Sequence, residues 1–517
     1  MTIVKKNQLK TNLLANILAF IINMGTSFLL TPFIVARLGN EAYGYIGLAN
    51  NFISCANLFT IAINSMAGRF IGIEIYNKRY KKANIYYSSV LGANLFIITI
   101  ISLISVYIIT NISSLINVSE YLLRDLQITL IILSLNFAIS ALVSIYNVAS
   151  FVKNRLDLQS LGQIGSYIIR AVVMILLFVM LPTKIYYMAI ATVLATIFLF
   201  IVNYFITKKL LPDIKIDIKK FKLFAVKELV FSGMWNSLNS LSNILLTGLD
   251  LLIANLFIGS EMMGVLSIAK TIPNAVRLLT GTIAQTFVPN YLKSYSKGDN
   301  SEILYEANLS IKILAFLMIV PMAGFMAFGT DFYNLWLPNK TAKEIEIIQI
   351  LSVLTILPTI FNAFIEGLYG INQVTNRVKT SVLVTIVISI LSMVVVFILL
   401  KFTSLGVYAI AGVSSVFISF RVLFFAPMYA AYVLNEKLTT FYPPLLKCIF
   451  CLVVTTIIFN IINSIFNINT VIDFIFIVIV AGVVGYIVNF YIILDRRERE
   501  SVIKSILRRY GIKKNIL

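Results

Sequence analysis

Long apolar runs recur along the whole of this chain of 517 residues. A run of about 20 apolar residues is long enough to cross the ~30 Å hydrocarbon core of a bilayer as a helix. The mean hydropathy of +0.93 and the charged fraction of 12% also exclude an ordinary water-soluble domain. The sequence therefore predicts an all-α integral membrane protein. We place fourteen transmembrane helices, which begin near residues 12, 43, 84, 125, 160, 185, 228, 262, 303, 344, 380, 405, 445 and 471.

The distribution of positive charge predicts the orientation of these helices. Short cytoplasmic loops are enriched in Lys and Arg. With both termini inside, most of the 42 Lys and Arg residues fall in predicted cytoplasmic segments. We expect a multi-pass protein of a bacterial plasma membrane whose first span is retained rather than cleaved as a signal peptide. The net charge of +20 should then face anionic lipid headgroups, and no nucleic-acid partner is expected.

A short motif occurs twice, at an offset of 220 residues. The segment "LGNEAYGYIGLA" at 38–49 is followed by "IGSEMMGVLSIA" at 258–269. Both copies fall at the predicted outer turn between the first and second spans of a six-span set. Because six is even, the copies share an orientation, which predicts two parallel six-helix lobes around a central cavity. Chance similarity between two apolar hairpins is the alternative.

The repeat and the charge pattern together predict the domain organisation. We expect an N-terminal lobe at 1–207 and a C-terminal lobe at 228–434, joined by a basic interfacial linker at 208–227. Two further spans should occupy 435–494. The segment 495–517 interleaves apolar residues with cations and predicts an amphipathic tail on the cytoplasmic surface.

Polar side chains recur at helical spacing inside several predicted spans. Such residues are costly in a bilayer and usually face protein or a water-filled cavity. In the seventh span the spacing indicates one polar face from Asn236 to Asp250. The expected lining of the central cavity comprises Asn16, Asn23, Asn50, Asn57, Asn236 and Asn243.

Cations outnumber carboxylates inside the predicted spans. The offset of 220 aligns Lys270 and Arg277 with neutral asparagines of the first copy, and Arg170 and Arg421 lie in other spans. We therefore predict a cationic cavity that binds an anion through Arg170, Lys270, Arg277 and Arg421. Arg421 has the alternative of extending toward the cytoplasmic interface, as we expect for Lys312.

Two carboxylates are candidates for ion pairing or ion coupling. Asp250 is expected at a depth similar to that of Lys270 and is its predicted partner. Glu366 lies near the predicted cytoplasmic end of its span, where Arg377 or Lys379 could pair with it. Because the chain has no His, any proton coupling must use carboxylates of this kind.

The sequence gives little support for an enzyme. It contains no phosphate-binding loop of the G-x-x-x-x-G-K-[ST] type, and the predicted exterior loops are short. Cys448 and Cys451 form a C-x-x-C pair without other ligand types nearby, so no metal and no other cofactor is expected. A transporter explains more of these features.

The chain resembles the superfamily of multidrug extruders and oligosaccharide-lipid flippases, and within it the polysaccharide flippases of the Wzx type. The resemblance covers the whole chain and is carried by "TPFIVARLGNEAYGYIGLANNF" at 31–52 and by the span from Pro273 to Pro289. It implies an alternating-access exporter that moves an undecaprenyl-diphosphate-linked oligosaccharide to the outer leaflet for surface polysaccharide such as O-antigen. It also implies polymerase and glycosyltransferase partners of the same pathway.

Three other functions remain open at this stage. The first is a cation-coupled multidrug antiporter of the same superfamily, although the first six spans lack the deep carboxylates expected of one. The second is a polytopic glycosyltransferase or polymerase. The third is a lipid II flippase, which also resembles this superfamily.

Overall fold

The computed structural model describes residues 6–214, 217–466, 468, 470–496 and 498–500, and every regular element within them is helical. The tail predicted at 495–517 lies mostly outside these residues. The α-helices, numbered in chain order, are α1 (Lys6–Tyr76), α2 (Tyr80–Thr110), α3 (Ile112–Leu115), α4 (Glu120–Val152), α5 (Leu156–Met180), α6 (Tyr186–Leu210), α7 (Leu223–Asn243), α8 (Asp250–Phe257), α9 (Ser260–Ala269), α10 (Thr271–Ala284), α11 (Val288–Ser296), α12 (Asn300–Trp336), α13 (Ala342–Ile365), α14 (Tyr369–Val374), α15 (Val378–Phe402), α16 (Val407–Phe420), α17 (Ala426–Val433), α18 (Tyr442–Ile465) and α19 (Val471–Ile492).

Twelve helices among the described residues are long and apolar enough to cross a membrane. The prediction of an all-helical, multi-pass membrane protein is confirmed. The first of the twelve is interrupted at Gly39, where the backbone leaves the helical region. α9 and α10 are each short because the chain is interrupted at Lys270 between them. The count of fourteen spans stays a prediction.

Contacts divide the chain into two compact units, Met1–Ile268 and Ala269–Leu517. In the first unit, the half of α1 that follows Gly39 packs with α2, α4 and α7 around buried residues such as Ile71, Tyr87 and Leu229. In the second unit, α12 is the central helix and contacts α13, α18 and α19. The lobe boundaries predicted from the repeat stay a prediction.

The described part of the predicted linker is short and attached to α2. A single 3-10 turn spans Ile218–Lys220. The backbone amides of Asp217 and Lys222 donate to the hydroxyls of Ser88 and Ser89, at 3.2 and 3.0 Å. This part of the linker is therefore held against the first unit by hydrogen bonds.

Lys312 lies in α12 and is buried, with an exposed fraction of 9%. Its ammonium donates to Asp495 and Glu498, both at 2.8 Å. Lys447 donates to the other oxygen of Asp495 at 2.7 Å. These paired carboxylates stabilise the buried ammonium. The predicted extension of Lys312 toward the cytoplasmic interface stays a prediction.

Candidate functional site

Two irregular turns in the second unit hold charged side chains within the membrane-spanning helices. A 3-10 turn at Glu366–Leu368 separates α13 from α14. A π-turn at Arg421–Phe425 separates α16 from α17. Both turns pack against α13, and the 3-10 turn also contacts α10, which carries Arg277. Such departures from α geometry within helices are frequent at functional sites.

The first residues of these turns belong to one polar cluster, which we call the Glu366 cluster and define as Arg277, Asn362, Glu366, Tyr369, Thr385 and Arg421. The amide of Asn362 donates to the Glu366 carboxylate. The Tyr369 hydroxyl donates to Asn362 Oδ1 at 3.1 Å. The Arg421 guanidinium donates to Thr385 Oγ1 at 3.3 Å and lies 5.8 Å from the centre of the Tyr369 ring.

Positive charge exceeds negative charge around this cluster. Glu366 lies in the electrostatic field of Arg421 and Arg277, which differ from the predicted partners Arg377 and Lys379. Arg277 is exposed, and among the described residues no side chain is hydrogen-bonded to its guanidinium. The Nε of Arg421 is buried and has no hydrogen-bond acceptor among the described residues. One carboxylate therefore faces two guanidinium groups that retain free donors for an anion.

Lys270 lies between α9 and α10, where Pro273 interrupts the helical hydrogen bonding. Proline has no amide hydrogen, and its ring excludes the carbonyl four residues earlier from the helix ladder. That carbonyl belongs to Ala269 and lies 3.1 Å from Ser352 Oγ, whose single hydroxyl hydrogen is shared between it and Ile348 O at 2.7 Å. Ser352 is buried and also bonds to the hydroxyl of Tyr333 at 2.8 Å. Lys270 itself is half-buried, and its predicted ion pair with Asp250 stays a prediction.

In the first unit, Arg170 lines a separate polar cavity of ≈ 250 Å³. Its guanidinium donates to Asn23 Oδ1 and Ser27 Oγ, each at 3.3 Å, and lies 5.8 Å from the centre of the Tyr167 ring. The structure thus brings Arg170 together with two of the predicted amides, since Asn50 also lines this space. The polar residues that line the Arg170 cavity are Ser27, Thr31, Tyr43, Asn50, Thr129, Arg170, Thr192 and Ser267.

The other predicted amides have different surroundings. Asn16 accepts a hydrogen bond from Ser160 and so connects α1 to α5. Asn57 is half-buried on α1. Asn236 and Asn243 are exposed on α7, and the Asn243 amide donates to its own helix at Asn239 O, 3.0 Å away.

The predicted single polar face from Asn236 to Asp250 is wrong beyond Asn243. A π-turn at Ile244–Gly248 follows α7 and inserts an extra residue into the turn. Asn243 is exposed whereas Asp250 is 7% exposed. Periodicity of 3.6 residues does not anticipate this change of register. The sequence analysis also missed Asn51, whose amide donates to Gly248 O at the end of the π-turn at 2.6 Å.

Glu41 forms a second polar centre that the sequence analysis did not single out. Its Oε1 accepts hydrogen bonds from Tyr45, Ser119 and Ser260, at 3.0, 2.5 and 2.8 Å. Its Oε2 accepts one from Tyr121 at 3.0 Å. All five residues belong to the first unit, and the carboxylate joins the two copies of the repeated motif. The signal that could have found it is its place in the motif, where both copies carry a glutamate two residues after a glycine.

Comparison with solved structures identifies the class of fold. The fold matches an inward-facing multidrug resistance MATE family transporter of the MOP superfamily, with a TM-score of 0.65 and 16% identity over 81% of this chain and 96% of the other. It also matches the lipid II flippase MurJ in an inward closed conformation, with a TM-score of 0.61 and 16% identity over 97% and 99% of the two chains. The protein therefore has the fold of a MOP-superfamily membrane transporter.

The family follows from sequence comparison. Residues 34–340 match the model of the polysaccharide biosynthesis protein family, and this chain belongs to that family. A relative is the uncharacterized membrane protein EpsK of Bacillus subtilis strain 168, which is 28% identical over 426 residues, covering 82% of this chain and 84% of the relative. The resemblance based on residues 31–52 is thereby confirmed.

Proposed function

We propose that this protein is a flippase that moves an undecaprenyl-diphosphate-linked oligosaccharide from the cytoplasmic to the outer leaflet of a bacterial plasma membrane. The observation that carries the proposal is the charge of the Glu366 cluster, where Arg277 and Arg421 exceed the single carboxylate and keep unused donors. A diphosphate offers several acceptor oxygens and at least one negative charge to such groups. Family membership supports a role in making surface polysaccharide.

In this proposal each group of residues has a stated role. Arg277 and Arg421 bind the diphosphate, and Lys270 is a further cationic contact in the same unit. Arg170 is a cationic contact for the transported anion in the first unit. Exposed amides such as Asn236 and Asn243 bind sugar hydroxyls, and the lipid tail stays in the bilayer. Asp250 and Glu366 act as counter-charges. The chain acts as a carrier rather than an enzyme, and its partners are anionic lipids and the polymerase and glycosyltransferases of the pathway.

The energy for transport need not come from ATP. With both termini cytoplasmic, outward movement of an anion follows an inside-negative potential, which contributes about 2.3 kcal/mol per charge at 100 mV. Discharging the potential in intact cells should therefore slow translocation of the lipid-linked glycan.

The test is complementation in a strain whose surface polysaccharide depends on this gene. Arg277→Gln and Arg421→Gln should each lower surface polysaccharide roughly tenfold or more, because a hydrogen bond to a charged group contributes about 1.5–3 kcal/mol. Lipid-linked precursor should accumulate in the cytoplasmic leaflet. The matched control is Arg124→Gln, since Arg124 is exposed and lies outside the cluster. Normal assembly in both cluster variants would refute diphosphate binding.

Further measurements distinguish two other candidate substrates from the proposed one. The lipid II flippase MurJ covers nearly the whole chain in the structural comparison, so lipid II is the second candidate substrate. Rescue of cells depleted of their lipid II flippase would favour it. Drug resistance on overexpression that Asp250→Asn abolishes would favour the antiporter. The Arg170 cavity argues against a cationic drug there, because no carboxylate is among its described lining residues.

A further inference from the structure

The Arg170 cavity has an unusual balance of hydrogen-bonding groups. Thr31, Thr129 and Thr192 each donate their hydroxyl hydrogen to a carbonyl of their own helix, at 2.8, 2.7 and 2.8 Å. A hydroxyl that has already donated presents only acceptor lone pairs to the cavity. The cavity wall therefore offers three acceptors from threonines, one charged donor group from Arg170, the Asn50 amide, which can do both, and the hydroxyls of Ser27, Tyr43 and Ser267.

This balance selects the chemistry of the occupant. A bare inorganic anion would satisfy Arg170 but would face the threonine acceptors without hydrogens to donate. A neutral sugar would satisfy the threonines but would leave the Arg170 charge uncompensated, since its described hydrogen-bond partners are the neutral Asn23 and Ser27. A ligand that combines an anionic group with several hydroxyls satisfies both.

The cavity is partly open, and its volume suits an occupant of one ring. A water molecule takes about 30 Å³ in the liquid, so the ≈ 250 Å³ cavity holds about eight waters or one sugar ring of comparable volume. The remaining wall is apolar and includes Leu30, Ile34 and Met174. Such a wall suits the C–H face of a sugar ring, as in other ligand pockets that pair apolar walls with a few polar groups.

We propose that the Arg170 cavity binds one acidic sugar residue, such as a hexuronic acid, of the transported glycan. Arg170 binds the sugar carboxylate, and Thr31, Thr129 and Thr192 accept hydrogen bonds from the ring hydroxyls. This inference rests on the proposed function and specifies its substrate class as an acidic glycan. It concerns the first unit, whereas diphosphate binding is assigned to Arg277 and Arg421 in the second.

The test is ligand-dependent thermal stability of the purified full-length protein in detergent. The probes are methyl β-glucuronide, methyl β-glucoside, inorganic sulfate and inorganic pyrophosphate at matched ionic strength. The glucuronide should raise the unfolding temperature at concentrations at which the glucoside and sulfate do not. Arg170→Gln should weaken the glucuronide effect roughly tenfold or more. Thr192→Val, which keeps the shape but removes the acceptor, should weaken it several-fold.

Each other outcome has a defined meaning. Equal protection by glucoside and glucuronide, or by sulfate and glucuronide, would overturn the proposal, as would an undiminished effect in Arg170→Gln. If Arg170→Gln does not fold, Thr192→Val and Asn50→Ala decide the matter in the same assay. Arg277→Gln serves as the control, because it should lose pyrophosphate protection and keep glucuronide protection. If pyrophosphate does not stabilise the wild-type protein, the result contradicts the proposed diphosphate binding and leaves the acidic-sugar proposal to be decided by the glucuronide.

Discussion

Gly44 packs directly against Gly264, the residue that occupies the same position in the second copy of the repeat. A Cβ atom on Gly44 would lie 2.8 Å from Gly264 Cα. Gly47 stands in the same relation to its own counterpart, since its Cβ would lie 2.7 Å from Ser267 Oγ. Equivalent residues touch each other only along an axis that relates the two copies. The repeated motif is thus also a contact between its own copies within the first unit.

Because of this close contact, any side chain added at Gly44 should lower the stability of the protein. Gly44→Ala should lower the free energy of unfolding by about 1–3 kcal/mol, because the new methyl group meets backbone atoms that cannot move aside. Thermal unfolding of the purified protein measures the change. Gly25→Ala is the matched control on the same helix, because nothing lies within 4 Å of its Cβ position. An equal effect of both substitutions would show that the contact does not limit stability.

Glu366 competes with an anionic ligand for Arg277 and Arg421. Glu366→Gln removes the competing charge while keeping the shape and the bond from Asn362. The variant should therefore bind pyrophosphate several-fold more tightly, which calorimetry on the purified protein would measure. Glu346→Gln on α13, the helix that precedes Glu366, is the control, because Glu346 is exposed. Unchanged or weaker binding in Glu366→Gln would place Glu366 outside the anion site.

The carbonyl released by Pro273 predicts a coupling between two positions. Ser352→Ala should destabilise the protein by about 1 kcal/mol, since it removes the hydroxyl hydrogen that the buried Ala269 carbonyl shares with Ile348 O. Pro273→Ala restores an amide hydrogen that can bond to the Ala269 carbonyl. The cost of Ser352→Ala should therefore be smaller in the Pro273→Ala background. A double-mutant cycle of unfolding free energies checks this, and strictly additive effects would contradict it.

The ion pairs at the end of the described chain predict a pH dependence. Hydrogen bonds from Lys312 and Lys447 lower the pKa of Asp495 from 3.8 to about 2. A carboxyl whose pKa is lower in the folded state stabilises that state above its unfolded pKa, and the stabilisation is lost as the pH falls through the folded value. Stability from this group should thus be constant from pH 8 to 5 and decline between about pH 4 and 2.

Asp495→Asn isolates this contribution. The unfolding temperature of the variant should lie below that of the wild type at pH 7, and the two should converge as the pH approaches 2. Thermal unfolding in detergent across this range is the measurement. A difference that stays the same at pH 7 and pH 2 would mean that the charge of Asp495 is not the cause.

The sequence predicted the class of fold well because that class depends on apolar length and charge asymmetry, both of which are local properties. It also predicted the repeat, and the equivalent residues Gly39 and Gly259 both adopt positive φ, at 82° and 133°. Contacts between side chains that are distant in the sequence were harder to predict. Helical spacing gives the face on which Glu366 lies, but not that Arg421 comes to it from a π-turn more than fifty residues later.

The same limit explains the errors along the seventh predicted span. Counting in steps of 3.6 residues assumes an uninterrupted helix, and the π-turn after Asn243 breaks that assumption. Asn51 stabilises this turn from another helix, and no pattern within either segment reveals the bond. The Arg170 cavity is lined by five helices, α1, α4, α5, α6 and α9, so its composition could not be predicted from any one segment.

The paired positive-φ glycines carry a practical consequence. At Gly39 and Gly259 the chain changes direction through one or two residues, with helix on both sides. A connection of one or two residues cannot adjust its conformation to inserted sequence, whereas a longer surface loop can. Epitope tags or fluorescent reporters placed there should abolish folding, whereas the Thr403–Gly406 connection offers a more tolerant position for reporting on the protein in living cells.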